Sequence, residues 1–210
     1  TKPLTHDATE YLELAKNFNQ TGHLELPARK TLMIESYGRA PGYPMWLAFL
    51  LRISPTLSWI RIAEALVGLL NTYLFFLLAR EVFGVRAGIV AFILSSFYIP
   101  FIVLAPVILS ENVWMCCMLI SFWFLLRKGT AIVRPAIINH ILSFVVLAIA
   151  TLIRPGTAFL LPFYLLFIFR KRGLTLSIFL FALYFLILLP WNIHLYRKEG
   201  HPIFVASEGG

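Results

Sequence analysis

Charge is scarce in this chain. Asp, Glu, Lys and Arg make up 13% of its 210 residues, about half their share in ordinary soluble domains, and that composition excludes a conventional water-soluble globule. Cysteine is nearly absent as well. Cys116 and Cys117 are adjacent inside an apolar run, a spacing that offers neither a disulfide framework nor a thiolate metal site. No cluster of His and acidic residues has metal-ligand spacing, so no metal site is read from the residues themselves. No internal repeat or low-complexity tract is visible, which weighs against a transporter built from inverted repeats. The net charge of +8 would suit nucleic acid, but the basic residues are not gathered on one polar segment. They fall in short clusters between apolar runs, which is the pattern of membrane topology. Nucleic acid is therefore not an expected partner.

Apolar and aromatic residues are abundant, at 60% and 15% of the chain. A helix needs roughly 17–25 apolar residues to cross the hydrocarbon, and several runs reach that length. The expected fold is all-α: a polytopic transmembrane bundle of about six spans, near 57–79, 86–106, 111–127, 135–153, 156–170 and 173–191. The fifth is the shortest and contains Pro162. A polar head, residues 1–42, precedes the bundle of residues 43–210. Segment 43–53 is too short to cross and ends at Ser54-Pro55, so it reads as an interfacial or re-entrant helix. The chain opens on Thr1 and stops in polar sequence at Gly209-Gly210, which reads as a piece of a longer protein.

Loop charge sets the expected orientation. Arg80 with Arg86, then Arg127, Lys128 and Arg134, then Arg170, Lys171 and Arg172 follow the first, third and fifth spans. The loops after the second and fourth offer only Arg154. The positive-inside rule makes the richer loops cytoplasmic, so the head, the 99–111 turn, Arg154 and the 192–210 tail share the outer side. Eight acids fall there: Asp7, Glu10, Glu13, Glu25, Glu35, Glu111, Glu199 and Glu208. Carboxylate chemistry, if the chain has any, belongs to that face.

Each candidate has a structural alternative. Tyr11, Leu14, Ala15 and Phe18 share one face of an amphipathic helix over residues 8–18. Asp7 stands at its N-cap position with Glu10 at capping-box distance. A cap would explain Asp7, and so would a general base that faces an acceptor hydroxyl. Glu111 opens the third span after Ser110, where the helix dipole favours an acid. A carboxylate at the edge of the hydrocarbon also calls for a partner, and Asp7 and Glu111 would together give two carboxylates facing one cleft. Arg39 precedes the turn Pro41-Gly42-Tyr43-Pro44 and is either a snorkelling arginine or a ligand-binding one. Arg154-Pro155 either caps a helix C-terminus or clamps an anion such as a lipid phosphate. Arg61 and Glu64, three apart, read as a structural pair. Arg197, Lys198 and His201 read as phosphate-binding or merely solvated, and His140 as a packing histidine.

The order of these motifs has a resemblance. Asp7-x-x-x-Tyr11-x-x-Leu14-Ala15, Arg39-Ala-Pro41-Gly-Tyr43-Pro44, Leu-Ala-Arg80-Glu-Val-Phe-Gly84, Leu-Ser110-Glu111 and Ile-Arg154-Pro155 together resemble the membrane glycosyltransferases of the GT-C superfamily. The branch indicated is that of the bacterial relatives of dolichyl-phosphate-mannose protein mannosyltransferases (glycosyltransferase family 39) and of the aminoarabinose lipid A transferase. The resemblance implies that Asp7 is the catalytic carboxylate of the first outer loop and Glu111 the second acid. It implies that Arg39, Tyr43, Arg154 and Tyr11 bind substrate. The donor it implies is a polyprenyl-phosphate sugar, passed with inversion to a hydroxyl of a lipid, glycan or protein. The family's first span and its C-terminal spans would lie outside this chain. Some relatives carry a metal-binding acid where Arg39 stands, so no cofactor is implied firmly and the arginine weighs against a divalent metal. The location implied is a bacterial inner (plasma) membrane, in contact with membrane lipids, with the active site towards the periplasm or exterior. The rival readings are a transporter or flippase of lipid-linked or anionic substrates, and a membrane scaffold in which Asp7 and Glu111 serve only as caps.

Overall fold

A computed structural model of the protein describes residues 5–24, 39–127, 136–200, 202 and 204–206. Glu25, Glu35, Tyr37, Lys128, Arg134, His201 and Glu208, which entered the reading of motifs and orientation, lie outside the described residues. Where the structure is described it is helical, without a strand.

Helix α1, His6–Thr21, starts at Thr5, whose side chain accepts from the Ala8 backbone N–H, and it stops at left-handed Gly22. Its buried face carries Ala8, Tyr11, Leu12, Leu14 and Ala15, close to the stripe expected from the sequence. That face lies on α2, Gly42–Ile53. Asn19 Nδ2 donates to the Ala48 carbonyl at 2.9 Å, and Arg52 Nε donates to Asn19 Oδ1 at 2.8 Å. Helix α1 of the polar head is thus packed on α2. Gly42 lies against the end of a later helix so closely that a Cβ would stand 2.7 Å from Ile153 Cγ1 and 2.9 Å from the Leu152 carbonyl.

Helix α3, Leu57–Phe83, turns at Gly84 (φ +93°) into α4, Val85–Ser96. The expected continuous second span is interrupted here. Phe97 and Tyr98 separate α4 from the short α5, Ile99–Leu104. Pro100 has no N–H to continue a helix, and the Ser95 and Ser96 hydroxyls bond back to the Phe92 carbonyl at 3.1 and 2.7 Å, which competes with the helical ladder. Helix α6, Ser110–Leu126, runs parallel to α3, with Leu74, Cys116 and Leu119 in one cluster. Helix α7, Ala136–Ile153, returns antiparallel, and Ser121 and Ser143 cross-bond each other's carbonyls at 2.8 Å.

The expected fifth span begins as a 3-10 helix, Pro155–Leu160, and becomes α-helical only over α8, Leu161–Arg172. Pro162 therefore sits in the first turn of α8, where its missing N–H costs nothing. Helix α9, Leu174–Glu199, runs beyond the expected limit at residue 191. By length and composition α3 and α9 can each cross a bilayer, while Val85–Ser96, Ser110–Leu126 and Ile137–Ile153 are shorter apolar helices. Leu66, Leu69 and Phe83 of α3 face outward, as side chains in contact with lipid acyl chains would. Glu64 and Asn71 of the same helix are buried among its neighbours.

Candidate functional site

The expected acids and arginines converge at one end of the bundle as two ion pairs. In the first, Arg39 reaches α1. Its Nη2 lies 2.7 Å from Asp7 Oδ1 and 2.9 Å from Glu10 Oε2, and its Nε donates to the same Glu10 oxygen at 3.1 Å. The guanidinium lies over the Tyr11 ring, 5.3 Å from its centroid. Partial burial works against the charged form of Arg39. The hydrogen bond to Glu10 and the charges of Tyr11, Asp7 and Glu10 outweigh it and hold the group even more firmly protonated than usual.

Thr5, not Asp7, caps α1, so the expected capping role of Asp7 is corrected. Two residues earlier in the chain a hydroxyl already serves the orphan N–H. Asp7 falls in the first turn with a half-exposed side chain. Among the described residues only its Oδ1 is engaged, by Arg39.

The second pair joins α6 to the end of α7. Glu111 lies in the first turn of α6, and its Oε1 meets Arg154 Nη1 at 3.1 Å. Arg154 follows the last residue of α7 and lies over the Trp114 ring at 5.7 Å. The Trp114 indole donates to Thr157 Oγ1 at 2.7 Å, which ties the turn after Arg154 to α6.

Tyr43 lies between the pairs. It is fully buried and packs edge-on against Tyr11, with centroids 4.9 Å apart. Its hydroxyl donates to Glu64 Oε1 at 3.1 Å. Burial, and after it the Glu64 carboxylate, push the phenol well above its ordinary range. The sequence reading missed Glu64 as part of this end of the molecule because Arg61, three residues away, offered a local partner. The carboxylate instead receives Tyr43, Trp46 and Asn112 from α2 and α6. A lone acid eight residues into an apolar helix was the available signal.

Beside Glu111 and Asn112 a cavity of about 440 Å³ opens between α3, α5 and α6, lined also by Asn71, Tyr98, Phe101 and Trp114. His140 stands apart: it is buried on α7 fourteen residues before Arg154, about 21 Å along a helix axis.

The sequence matches the family of dolichyl-phosphate-mannose-protein mannosyltransferases over residues 39–196. The chain belongs to this family. Membership makes the protein a membrane glycosyltransferase of the mannosyltransferase type, and supports the resemblance to the GT-C superfamily at that level. The matched residues include Arg39, Tyr43, Glu111 and Arg154, whereas Asp7 and Tyr11 precede them. No curated protein and no solved structure matches the chain.

In this mannosyltransferase-family chain His6, Asp7 and Glu10 each bring a ligand atom within 4.8 Å of the others. Arg39 is bonded to two of the three, and a fixed positive charge at that distance opposes a second cation. The cluster does not fit a divalent metal while Arg39 occupies it.

Proposed function

We propose that the protein moves a sugar from a polyprenyl-phosphate donor to a hydroxyl of a lipid, glycan or protein acceptor. It does so at the outer face of a bacterial inner membrane, within a bundle of about six spans that resembles those of protein mannosyltransferases and the aminoarabinose lipid A transferase. The observation that supports this most is the meeting of two carboxylate–arginine pairs at one end of an apolar bundle. Each pair offers a base or orienting acid beside a phosphate-binding fork.

Asp7 is the general base. Arg39 holds Oδ1, and Oδ2 takes the acceptor proton. The acceptor oxygen attacks the anomeric carbon as the bond from that carbon to the phosphate oxygen breaks. The polyprenyl phosphate leaves with the electron pair, and single displacement inverts the centre. Arg154 contacts Glu111 through Nη1, which leaves Nε and Nη2 to receive two phosphate oxygens; Arg39 adds Nη1. Glu111 orients the acceptor and balances Arg154 before the donor binds. Tyr11 and Tyr43, packed edge-on and buried, back the Arg39 side of the sugar site from behind. The 440 Å³ cavity beside Glu111 suits an isoprenoid segment, being walled largely by apolar side chains. The rival transporter reading gains nothing from the family match.

Replacement of Asp7 by Asn in the full-length protein tests the assignment. Asparagine keeps an oxygen for Arg39, so expression and folding persist while transfer from dolichyl-phosphate mannose is lost. Undiminished transfer by Asp7→Asn would sink the catalytic role.

A further inference from the structure

Glu64 is a carboxylate with no exposed surface on an apolar helix. A buried carboxylate is costly unless its oxygens are well supplied with donors, and here the donors are neutral groups from two other helices. Oε1 accepts from the Tyr43 hydroxyl at 3.1 Å and the Trp46 indole at 3.2 Å, both on α2. Oε2 accepts from Asn112 Nδ2 on α6 at 3.2 Å, and the same amide nitrogen donates to the Glu64 backbone carbonyl at 2.6 Å.

We propose that Glu64 is a positioning residue of the site: by gripping Tyr43 and Asn112 at once, it sets the Asp7–Arg39 pair against the Glu111–Arg154 pair. Its consequence for catalysis rests on the glycosyltransfer reading. The geometric claim does not.

Two arms lead from the carboxylate to the two pairs. On one side Tyr43 packs against Tyr11, and Arg39 lies over Tyr11 while bonded to Asp7 and Glu10. On the other side Asn112 is the next residue after Glu111, so the position of its amide sets the position of the Arg154 partner. Helix α2 is 12 residues long, too short to be fixed by crossing a bilayer. Tyr43 and Trp46, three residues apart, give it two attachments to a single carboxylate.

Trp46 Nε1 and Asn112 Nδ2 can only donate, so each Glu64 oxygen acts as an acceptor and the polarity of the network is set. Glu64 turns the Asn112 amide nitrogen towards itself and the Asn112 oxygen away. Asn71 Nδ2 then donates to that oxygen at 2.9 Å and to the Asn112 carbonyl at 3.0 Å. The chain ends on Asn71 Oδ1, a buried acceptor without a hydrogen-bond partner among the described residues. Glutamine at position 64 would have nearly the same shape but bring two donors. To pair with it, the Asn112 amide would have to rotate and lose its bond to the residue 64 carbonyl, and the Asn71 amide would have to rotate with it, giving up its bond to the Asn112 carbonyl, to present Oδ1. The vacant acceptor makes that rearrangement available without leaving the fold.

The test uses the full-length protein in lipid nanodiscs. Spin labels at positions 9 and 156, both exposed, report on the α1 side and on the Arg154 side. Glu64→Gln is expected to broaden or shift their distance distribution. With dolichyl-phosphate mannose as donor it should lower kcat roughly 10–100-fold, the scale of a misplacement of about 1 Å, and change KM less than about threefold. Adding Tyr43→Phe to Glu64→Gln should cost far less than the product of the two single effects, because both cut the same link. An unaltered distance distribution, together with unchanged kcat per folded molecule, would overturn the proposal whatever Glu64→Gln does to thermal stability. Wild-type protein that transfers no mannose, with a distribution that still widens in Glu64→Gln, would remove the glycosyltransfer reading and leave the positioning role standing. Transfer abolished by Asp7→Asn but indifferent to Glu64→Gln would do the reverse.

Discussion

The Arg154 guanidinium meets the Glu111 carboxylate at 3.1 Å while lying over the Trp114 ring. The pair joins the first turn of α6 to the residue that follows α7, two points forty-three positions apart in the chain. Both side chains keep part of their surface exposed, 29% for Arg154 and 49% for Glu111. An ion pair this open contributes little to stability, and its value lies in what else the arginine can bind.

Lysine at position 154 should expose that second duty. A lysine ammonium can satisfy Glu111, but it is a point charge and cannot hold a carboxylate and two phosphate oxygens in one planar fork. Losing one charge-assisted hydrogen bond costs about 1.5–3 kcal/mol. Arg154→Lys is therefore expected to raise KM for a polyprenyl-phosphate donor roughly 10–100-fold with little change in melting temperature. Steady-state kinetics at saturating acceptor check this, and an unaltered KM would reduce Arg154 to a helix-end residue.

Thr5 and Asp7 divide two roles that the sequence had placed on one residue. Thr5→Ala removes the side-chain N-cap of α1, at a cost of about 1 kcal/mol. Hydrogen exchange should quicken over residues 6–12 while transfer activity stays within about twofold. Asp7→Asn should give the opposite pattern, slow exchange with lost activity. Equal exchange in the two variants would return Asp7 to the cap.

What the sequence made legible was whatever a single segment encodes. The apolar stripe of α1 needed only helical spacing, and Arg39, Glu111 and Arg154 stood out because charge is rare here. The break at Phe97 and Tyr98 was harder to see, since the run stays apolar and only Pro100 and two serines oppose a continuous helix. Glu64 was visible as an acid but not as a hub. Its partners Tyr43, Trp46 and Asn112 lie eighteen to forty-eight residues away, and a nearby arginine supplied a simpler account. The capping role given to Asp7 failed for a local reason: Thr5 has the same chemistry two positions earlier, and the helix starts two residues sooner than its periodicity suggests.

Gly42 is where the seat of α2 can be tested without touching a polar group. A Cβ there would meet Ile153 Cγ1 at 2.7 Å and the Leu152 backbone at 2.9 Å. The backbone contact cannot be relieved by rotating a side chain, so α2 must lift from α7. Overpacking of this kind costs about 1–3 kcal/mol. Gly42→Ala should lower the thermal midpoint in detergent, and it should also lower activity because Tyr43 moves with the helix. A midpoint equal to wild type would mean that α2 does not rest on α7.

Tyr43 gives a pH dependence whose sign follows from its surroundings. Burial first, then the Glu64 carboxylate, hold the folded phenol protonated well above its ordinary range, whereas in the unfolded chain it ionises near pH 10. Above about pH 10 the native state thus retains a proton that the unfolded state releases, and native stability falls as pH rises. Tyr43→Phe removes this contribution along with one hydrogen bond to Glu64, so it should start less stable at pH 8 yet lose less between pH 9.5 and 11. Parallel melting series for wild type and Tyr43→Phe isolate the term, because every other tyrosine is common to both. Identical slopes would show that Tyr43 ionises in the folded protein much as it does in the unfolded one.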